Sequence, residues 1–325
     1  MEGARSGQQM PDLVTFGETC VVLVSKSAGP LRYSSEFERR IGGAESTVAV
    51  GVARLGYSAG WISRLGDDEF GAYIAGQMRS ENVDIENVKY SDNAQTGVFF
   101  RENRANGRSS VFYYRKDSAF SDFSPEDINE AYIASARILH LTGITPALSP
   151  SCRAAVEHAI DIAKANNVTV VFDPNYRSKI WEPSEARNCL EHLMQRADHV
   201  LAGHEDLAKL AGLNTDKECT KYLHDLGVSS VILKLGREGA LLSTNDDVER
   251  IGGYLLENPV DRFGVGDSFA AGFNVGLLEG RSTRESIILG NAVAGWSIRL
   301  PGNIEALPDW NDLRELQNGE EFVAR

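Results

Sequence analysis

The chain lacks the loop G-x-x-x-x-G-K-S/T, has no G-x-G-x-x-G after its first apolar run, and contains neither the H-R-D nor the D-F-G signature. These absences close the P-loop, dinucleotide and protein-kinase routes to nucleotide chemistry. Cysteine is scarce: Cys20, Cys152, Cys189 and Cys219 stand far apart, with no Cys-x-x-Cys pair, and the six histidines show no metal spacing. Neither a disulfide framework nor a zinc site is indicated, and inert thiols in a reducing cytoplasm are expected. Basic residues are also in deficit, 33 against 46 acidic ones, for a net charge of −13. Such a surface repels nucleic acid and anionic membranes, so any phosphate site must be a local exception. No apolar run approaches the roughly 20 residues of a membrane span. The first nine residues lack the apolar core of a signal peptide and precede a second methionine, Met10. They are excluded from fold reasoning, and a soluble cytoplasmic protein is expected.

What is present is an alternation of short apolar runs with helical patterns over 325 residues, unbroken by any low-complexity linker. This predicts an α/β fold with a mostly parallel sheet. Strands are expected at Leu13 to Phe16, Trp61 to Arg64, Ile138 to Leu141, Val168 to Phe172, His199 to Leu201 and Val231 to Lys234. A helix from Glu45 to Leu55 closes at Gly56. Another begins near Asp67 with Phe70, Ile74 and Met78 on one core-facing side, and Ser149-Pro150 starts a third. Thr96 to Glu102 and Ser109 to Arg115 break the rhythm as two β-prone runs joined through Asn106-Gly107, a tight-hairpin pair. Together with Val21 to Ser25 and Arg32 to Ile41 they make a small sheet, either a lid over a site or a plain edge hairpin.

The strongest local signal is Asp261 to Gly272, DRFGVGDSFAAG, a glycine turn running into a helix from about Gly266. Free amides at such a helix start hold phosphate without cationic side chains. Asp267 in that turn would repel phosphate but can take a proton from an alcohol attacking it; capping the helix is the equal alternative. Lys234, Gly236 and Gly239 form a second glycine turn, read as a nucleotide contact or an ordinary β-turn. A third, Ile41 to Glu45, offers amides to a hydroxylated or anionic ligand or is simply a turn. Arg115 and Lys116 end the hairpin, and Arg177 follows a strand, where α/β sheets bind ligands. If both arginines face a pocket they imply an anionic substrate; otherwise they form surface ion pairs.

In this order, the motifs resemble the ribokinase-like (PfkB) family of carbohydrate kinases, from Leu13 to about Pro308. Gly42-Gly43 before the first helix and GVGD before a late one resemble its two signatures. The segments IGGAE (41–45), FYYRKDSA (112–119), HLTGITPALS (140–149) and DPNYR (173–177) resemble the branch that phosphorylates 2-keto-3-deoxygluconate. The resemblance implies a doubly wound, mostly parallel sheet with helices on both faces and a small β-sheet lid. The lid would be 20–43 and 95–117, with 1–19 an N-terminal extension and first strand, and 44–94 and 118–325 the main nucleotide- and sugar-binding domain. It implies γ-phosphoryl transfer from ATP, with Mg2+ held mainly by the phosphates and Asp267 as base. Gly43, Ala44, Glu45, Ser46, Thr47, Phe99, Tyr113, Tyr114, Arg115, Asn175, Tyr176, Arg177 and Asn303 would line the substrate pocket. Arg115 and Arg177 would hold the substrate carboxylate. Gly203, Lys234, Leu235, Gly236, Arg237, Glu238, Gly239, Ala240, Gly264, Val265, Gly266 and Asn291 would meet ATP.

The pattern also departs from the family. Thr47 replaces a common asparagine, Phe99 a tyrosine of the keto-acid kinases, and Asn303 an aspartate. Gly203 to Asp206 replaces N-x-x-E, leaving Asp206 to reach magnesium through water. Arg262-Phe263 replaces small residues in the cation loop, which weakens the inference of a K+ site. Alternatives are a kinase for another sugar or sugar acid, such as fructose or ribose, and a non-catalytic sugar-binding protein. A homodimer or higher homo-oligomer through the lid is expected.

Overall fold

The computed structural model describes residues 10–104, 109–244, 247–254 and 259–319, so the expected Asn106-Gly107 turn lies outside the described residues. The chain opens with β1 (Leu13–Phe16), β2 (Cys20–Ala28), β3 (Phe37–Gly42) and α1 (Ala44–Arg54), then β4 (Ala59–Gly66), α2 (Glu69–Ser80) and β5 (Val88–Ser91). β6 (Val98–Asn103) and β7 (Ser109–Tyr114) precede α3 (Glu130–Ala134), β8 (Ile138–Thr142), α4 (Pro150–Ala165), β9 (Thr169–Asp173) and α5 (Pro183–Met194). β10 (His199–Gly203), α6 (His204–Ala211), α7 (Asp216–Asp225), β11 (Val231–Lys234), β12 (Ala240–Ser243) and β13 (Val248–Ile251) follow. α8 (Val265–Leu278), α9 (Thr283–Ser297) and α10 (Trp310–Gly319) complete the order.

Nine strands form one sheet in the order β13-β12-β11-β10-β9-β8-β1-β4-β5. Pairing is parallel throughout except β11–β12 and β12–β13. Its central strands are near-continuous apolar runs because both faces are covered, and successive residues feed opposite cores. Val14, Leu139, Leu141, Val170 and Phe172 pack with α4 and α5 on one side. Leu13, Ile138, Val171, Leu201 and Ile232 pack with α1, α8 and α9 on the other. Each fully buried Leu, Ile or Phe contributes about 1.5–3 kcal/mol.

The expected helix starts and stops are present. The Ser149 hydroxyl accepts from the Cys152 amide at 3.1 Å, and Gly56 after α1 has φ +86°. Ile74 and Met78 on α2 are fully buried, with Phe70 packed at the edge of the same cluster. All four cysteines are free and buried.

β3-β2-β6-β7 form a separate four-stranded sheet, with β6–β7 antiparallel as expected and β2–β6 parallel. β3 begins at Phe37, not at Arg32, because Leu31–Tyr33 coil into a 3-10 turn whose Leu31 amide donates to Glu102 Oε2 at 2.7 Å. Among the described residues no helix is long and apolar enough to cross a membrane.

Candidate active site

Because seven strands run parallel, their C-terminal ends share one edge, and that edge carries polar residues: Thr142 of β8, Asp173 of β9, Gly203 of β10 and Lys234 of β11. A cavity of about 540 Å³ opens there. Asp173, Asn175, Arg177, Lys234, Gly264 and Asp267 are on its wall.

The turn into α8 supplies the cavity's anion-attracting side. Gly264 caps the helix with φ +75° and no side-chain cap, so among the described residues the N–H groups of Val265, Gly266 and Asp267 have no partner at the positive end of the helix dipole. Only glycine fits at 264: a Cβ there would lie 1.9 Å from Asn303 Oδ1.

Asp267 is 9% exposed. Burial pushes its carboxyl up to about 6, against the pull of Arg177, Lys234 and Asn175; Asp173 adds to the rise. The Asn175 amide donates to Asp267 Oδ1 at 3.3 Å, and the Asn175 backbone, at φ +38°, donates to Asp173 Oδ1 at 3.0 Å. Asp173 also receives the Lys234 ammonium. One network therefore joins Lys234, Asp173, Asn175 and Asp267. Lys234 Nζ would stand 3.5 Å from a Cβ on Gly266, directly beside the free amides.

The second glycine turn lies on the same wall. Gly239, at φ +89°, is required because a Cβ would meet Ile251 O at 2.2 Å. Asn291 donates to Gly252 O at 3.0 Å and holds the end of β13 against the cavity. Gly203, Leu235, Gly236, Glu238 and Val265 line the cavity too, whereas Arg237 is exposed off the wall and Ala240 is buried within β12. Asp206 is on the wall as well, its carboxyl raised by burial and by Asp173.

Several expected substrate residues are placed otherwise than their sequence run suggests. In the turn before α1, Gly43 caps the helix, Ala44 is buried, and the side chains after it turn inward. Glu45 accepts from Thr142 and Thr145 at 2.6 and 3.0 Å, and burial raises it to about 7. Ser46 accepts from Thr19, and Thr47 donates to Gly43 O at 2.6 Å while accepting from Asn303 Nδ2 at 2.6 Å. Beside the backbone groups of this turn, Glu45 Oε2 is left without a hydrogen-bond partner among the described residues.

Tyr113 packs with Phe99 and Phe263, but Tyr114, its neighbour on β7, lies on the opposite face of the small sheet against Phe100 and is 67% exposed. Strand alternation separates them. Tyr176 is 2% exposed in the main core, its hydroxyl donating to Trp181 O. Arg115 is buried against Glu18, to which its Nε donates at 2.6 Å. Arg177, in contrast, forms no ion pair among the described residues and faces the cavity.

Sequence reasoning did not single out Asp173 or Arg101. Asp173 carried a signal, a carboxylate at the strand end two positions before Asn175. Arg101 carried none: its partner, Asp261, is 160 residues away. That partner bears on the expected cation loop. Both Asp261 oxygens are occupied by Arg101 and by the amides of Phe263 and Gly302.

A doubly wound sheet with a small sheet appended, and a glycine turn feeding a buried aspartate at its C-terminal edge, is the ribokinase-like architecture. The chain belongs to the pfkB family of carbohydrate kinases, whose profile matches residues 10–310. It is 33% identical to the 2-dehydro-3-deoxygluconokinase of Bacillus subtilis (strain 168), over 96% of this chain and 97% of that protein. The crystal structure of 2-dehydro-3-deoxygluconokinase from Thermotoga maritima matches with TM-score 0.83 and 27% identity, covering 94% of this chain and 99% of the other. A sugar kinase of Pyrococcus horikoshii in complex with ATP matches with TM-score 0.79 and 28% identity, over 94% and 99% of the two chains. The resemblance read from the sequence motifs is thereby borne out.

Proposed function

We propose that this carbohydrate kinase transfers the γ-phosphoryl of ATP to the primary hydroxyl of 2-dehydro-3-deoxygluconate, the keto acid also called 2-keto-3-deoxygluconate. The observation that carries the reading is the meeting, in one cavity, of Asp267, the free amides at the start of α8 and the unpaired cation Arg177. Asp267 accepts the hydroxyl proton as the oxygen attacks the γ-phosphorus, the bond to the departing ADP oxygen breaks, and Asp267 ends protonated. A carboxyl poised near 6 is ionised at neutral pH yet basic enough to take that proton. The amides of Val265 and Gly266, with Lys234 beside them, stabilise charge on the transferring group.

The glycine turn 236–239, Gly203 and Asn291 contact the nucleotide. Magnesium, bound with it, neutralises phosphate charge. Among the described residues no set of three acidic, His or Cys side chains is arranged to hold a metal ion; the phosphates would be its main ligands, and Asp206, on the cavity wall, would reach it through water. The guanidinium already held by Asp261 weighs against a K+ ion sharing that carboxylate.

Arg177 pairs with the substrate carboxylate. Arg115, with Nε and Nη2 spent on Glu18, offers its remaining N–H groups. The small sheet acts as a lid carrying Phe99 and Tyr113 over the sugar. Its outer face, with Tyr114 and the 40%-exposed Phe112, suits pairing with a second copy. A coupled ADP assay over a panel of sugars and sugar acids tests the reading: the keto acid should give the highest kcat/KM, and fructose or ribose outrunning it would overturn the assignment.

A further inference from the structure

The Arg101–Asp261 pair spans two parts of the molecule that no secondary structure connects. Arg101 projects from the second half of β6, in the lid sheet, and Asp261 begins the turn that ends at the free amides of α8. The contact is a parallel fork: Nη1 donates to Oδ2 and Nη2 to Oδ1, each at 2.6 Å, with the side chains only 10% and 8% exposed. Two-point geometry of this kind fixes direction as well as distance, which a lysine cannot do.

The same carboxylate has two further jobs. Its Oδ1 accepts from the Phe263 amide at 3.1 Å, inside the turn, and its Oδ2 accepts from the Gly302 amide at 3.2 Å, next to Asn303. Asn303 in turn holds Thr47 at the start of α1 and presses its Oδ1 on Gly264. Burial alone would raise the Asp261 carboxyl, but the bonds and charge of Arg101 with these amides bring it below the usual range.

Phe263 adds an apolar tie. Its ring packs into the lid's own small cluster of Cys20, Val22 and Phe99, with the Arg101 guanidinium 5.0 Å from its centre. The bulky residue that stands out in the glycine turn thus has a partner, and the partner is the lid.

We infer that Arg101 is a positioning residue for phosphoryl transfer: through Asp261 it locks the lid to the turn whose amides receive the phosphates, so that sugar and nucleotide are bound cooperatively. The inference rests on the kinase reading above. A lid shifted by a ligand beneath it drags a fork that cannot stretch, and the turn moves with it; binding at either place then favours binding at the other.

The test uses the full chain with R101M and R101K. The dissociation constant of adenylyl imidodiphosphate is measured by calorimetry with and without saturating 2-dehydro-3-deoxygluconate. Amide hydrogen exchange is followed over residues 98–103 and 259–264. In the wild type the keto acid is expected to tighten the nucleotide, and no tightening there would itself overturn the inference. In R101M that tightening is expected to vanish, exchange in 259–264 to quicken, and kcat to fall about 100-fold, the effect of a small misplacement of reacting groups. R101K should fall between, and it carries the test alone if R101M does not fold.

A folded variant with wild-type coupling, wild-type exchange in 259–264 and kcat within about twofold of normal overturns the inference. If the wild type phosphorylates no member of the sugar panel, the kinase assignment fails instead, and exchange in 259–264 still decides whether Arg101 holds the turn.

Discussion

Asp261 and Asp267 end the same short turn, and the molecule treats them in opposite ways. Asp261 is given a guanidinium and two amides, so its carboxylate is stabilised as an anion and held below the usual range. Asp267 receives one long bond from Asn175, has Arg177 and Lys234 only at a distance, and is pushed up to about 6 by burial. A fully satisfied carboxylate is a structural bolt, whereas an under-satisfied one beside free amides is a candidate base. Local sequence does not distinguish them; the three-dimensional supply of cations does.

Four experiments sharpen the contrast. The largest effect is expected from Asp267→Asn: kcat should fall about 10²- to 10⁴-fold while the calorimetric affinity for ATP stays the same, because only the proton acceptor is removed. Near-normal turnover would place the base elsewhere. Next comes Arg177→Ala. The side chain is exposed, so the low end of the cost of unpairing a charge applies: KM for the keto acid should rise about 30-fold with KM for ATP unmoved. An unchanged KM would remove the carboxylate contact.

Third is the pH profile. With Asp267 as the proposed base, which acts ionised and whose value is raised, kcat/KM should drop as pH falls below about 6. Lys234→Met removes a charge that favours the anion and leaves Asp173 unpaired, so the acid limb should move to higher pH; a fixed midpoint would uncouple Lys234 from the base. The smallest effect belongs to the bolted end. Phe263→Ala deletes a half-buried ring and should lower the calorimetric melting temperature by about 1–2 °C, at a cost of roughly 1 kcal/mol. An identical melting point would show that the ring's packing against the lid contributes nothing to stability.

Much of this was legible in the chain. Continuous apolar runs between helical patterns mark a sheet buried on both faces, and GVGD before a helix marks the free amides, because both follow from periodicity and turn chemistry. What escaped depends on direction. Tyr113 and Tyr114 look equivalent in FYYR, yet alternation packs one against Phe99 and the other, on the opposite face of the small sheet, against Phe100. Tyr176 is flanked by Asn175 and Arg177, both at the cavity, and itself points into the core. Arg115 reads as a free cation until Glu18, 97 residues earlier, is found against it. Contacts of such separation leave no local trace.

The bond from Asn303 to Thr47 has a consequence in time. Its two residues are 256 positions apart, and the phosphate-facing turn is pinned from the same late segment, through Gly302. During synthesis the central strands β1, β4 and β8 are available to pair early, but the walls around Asp267 come into register only when the last tenth of the chain has emerged. A nascent or C-terminally clipped chain that ends before Gly302 therefore carries the sheet without either of these two pins.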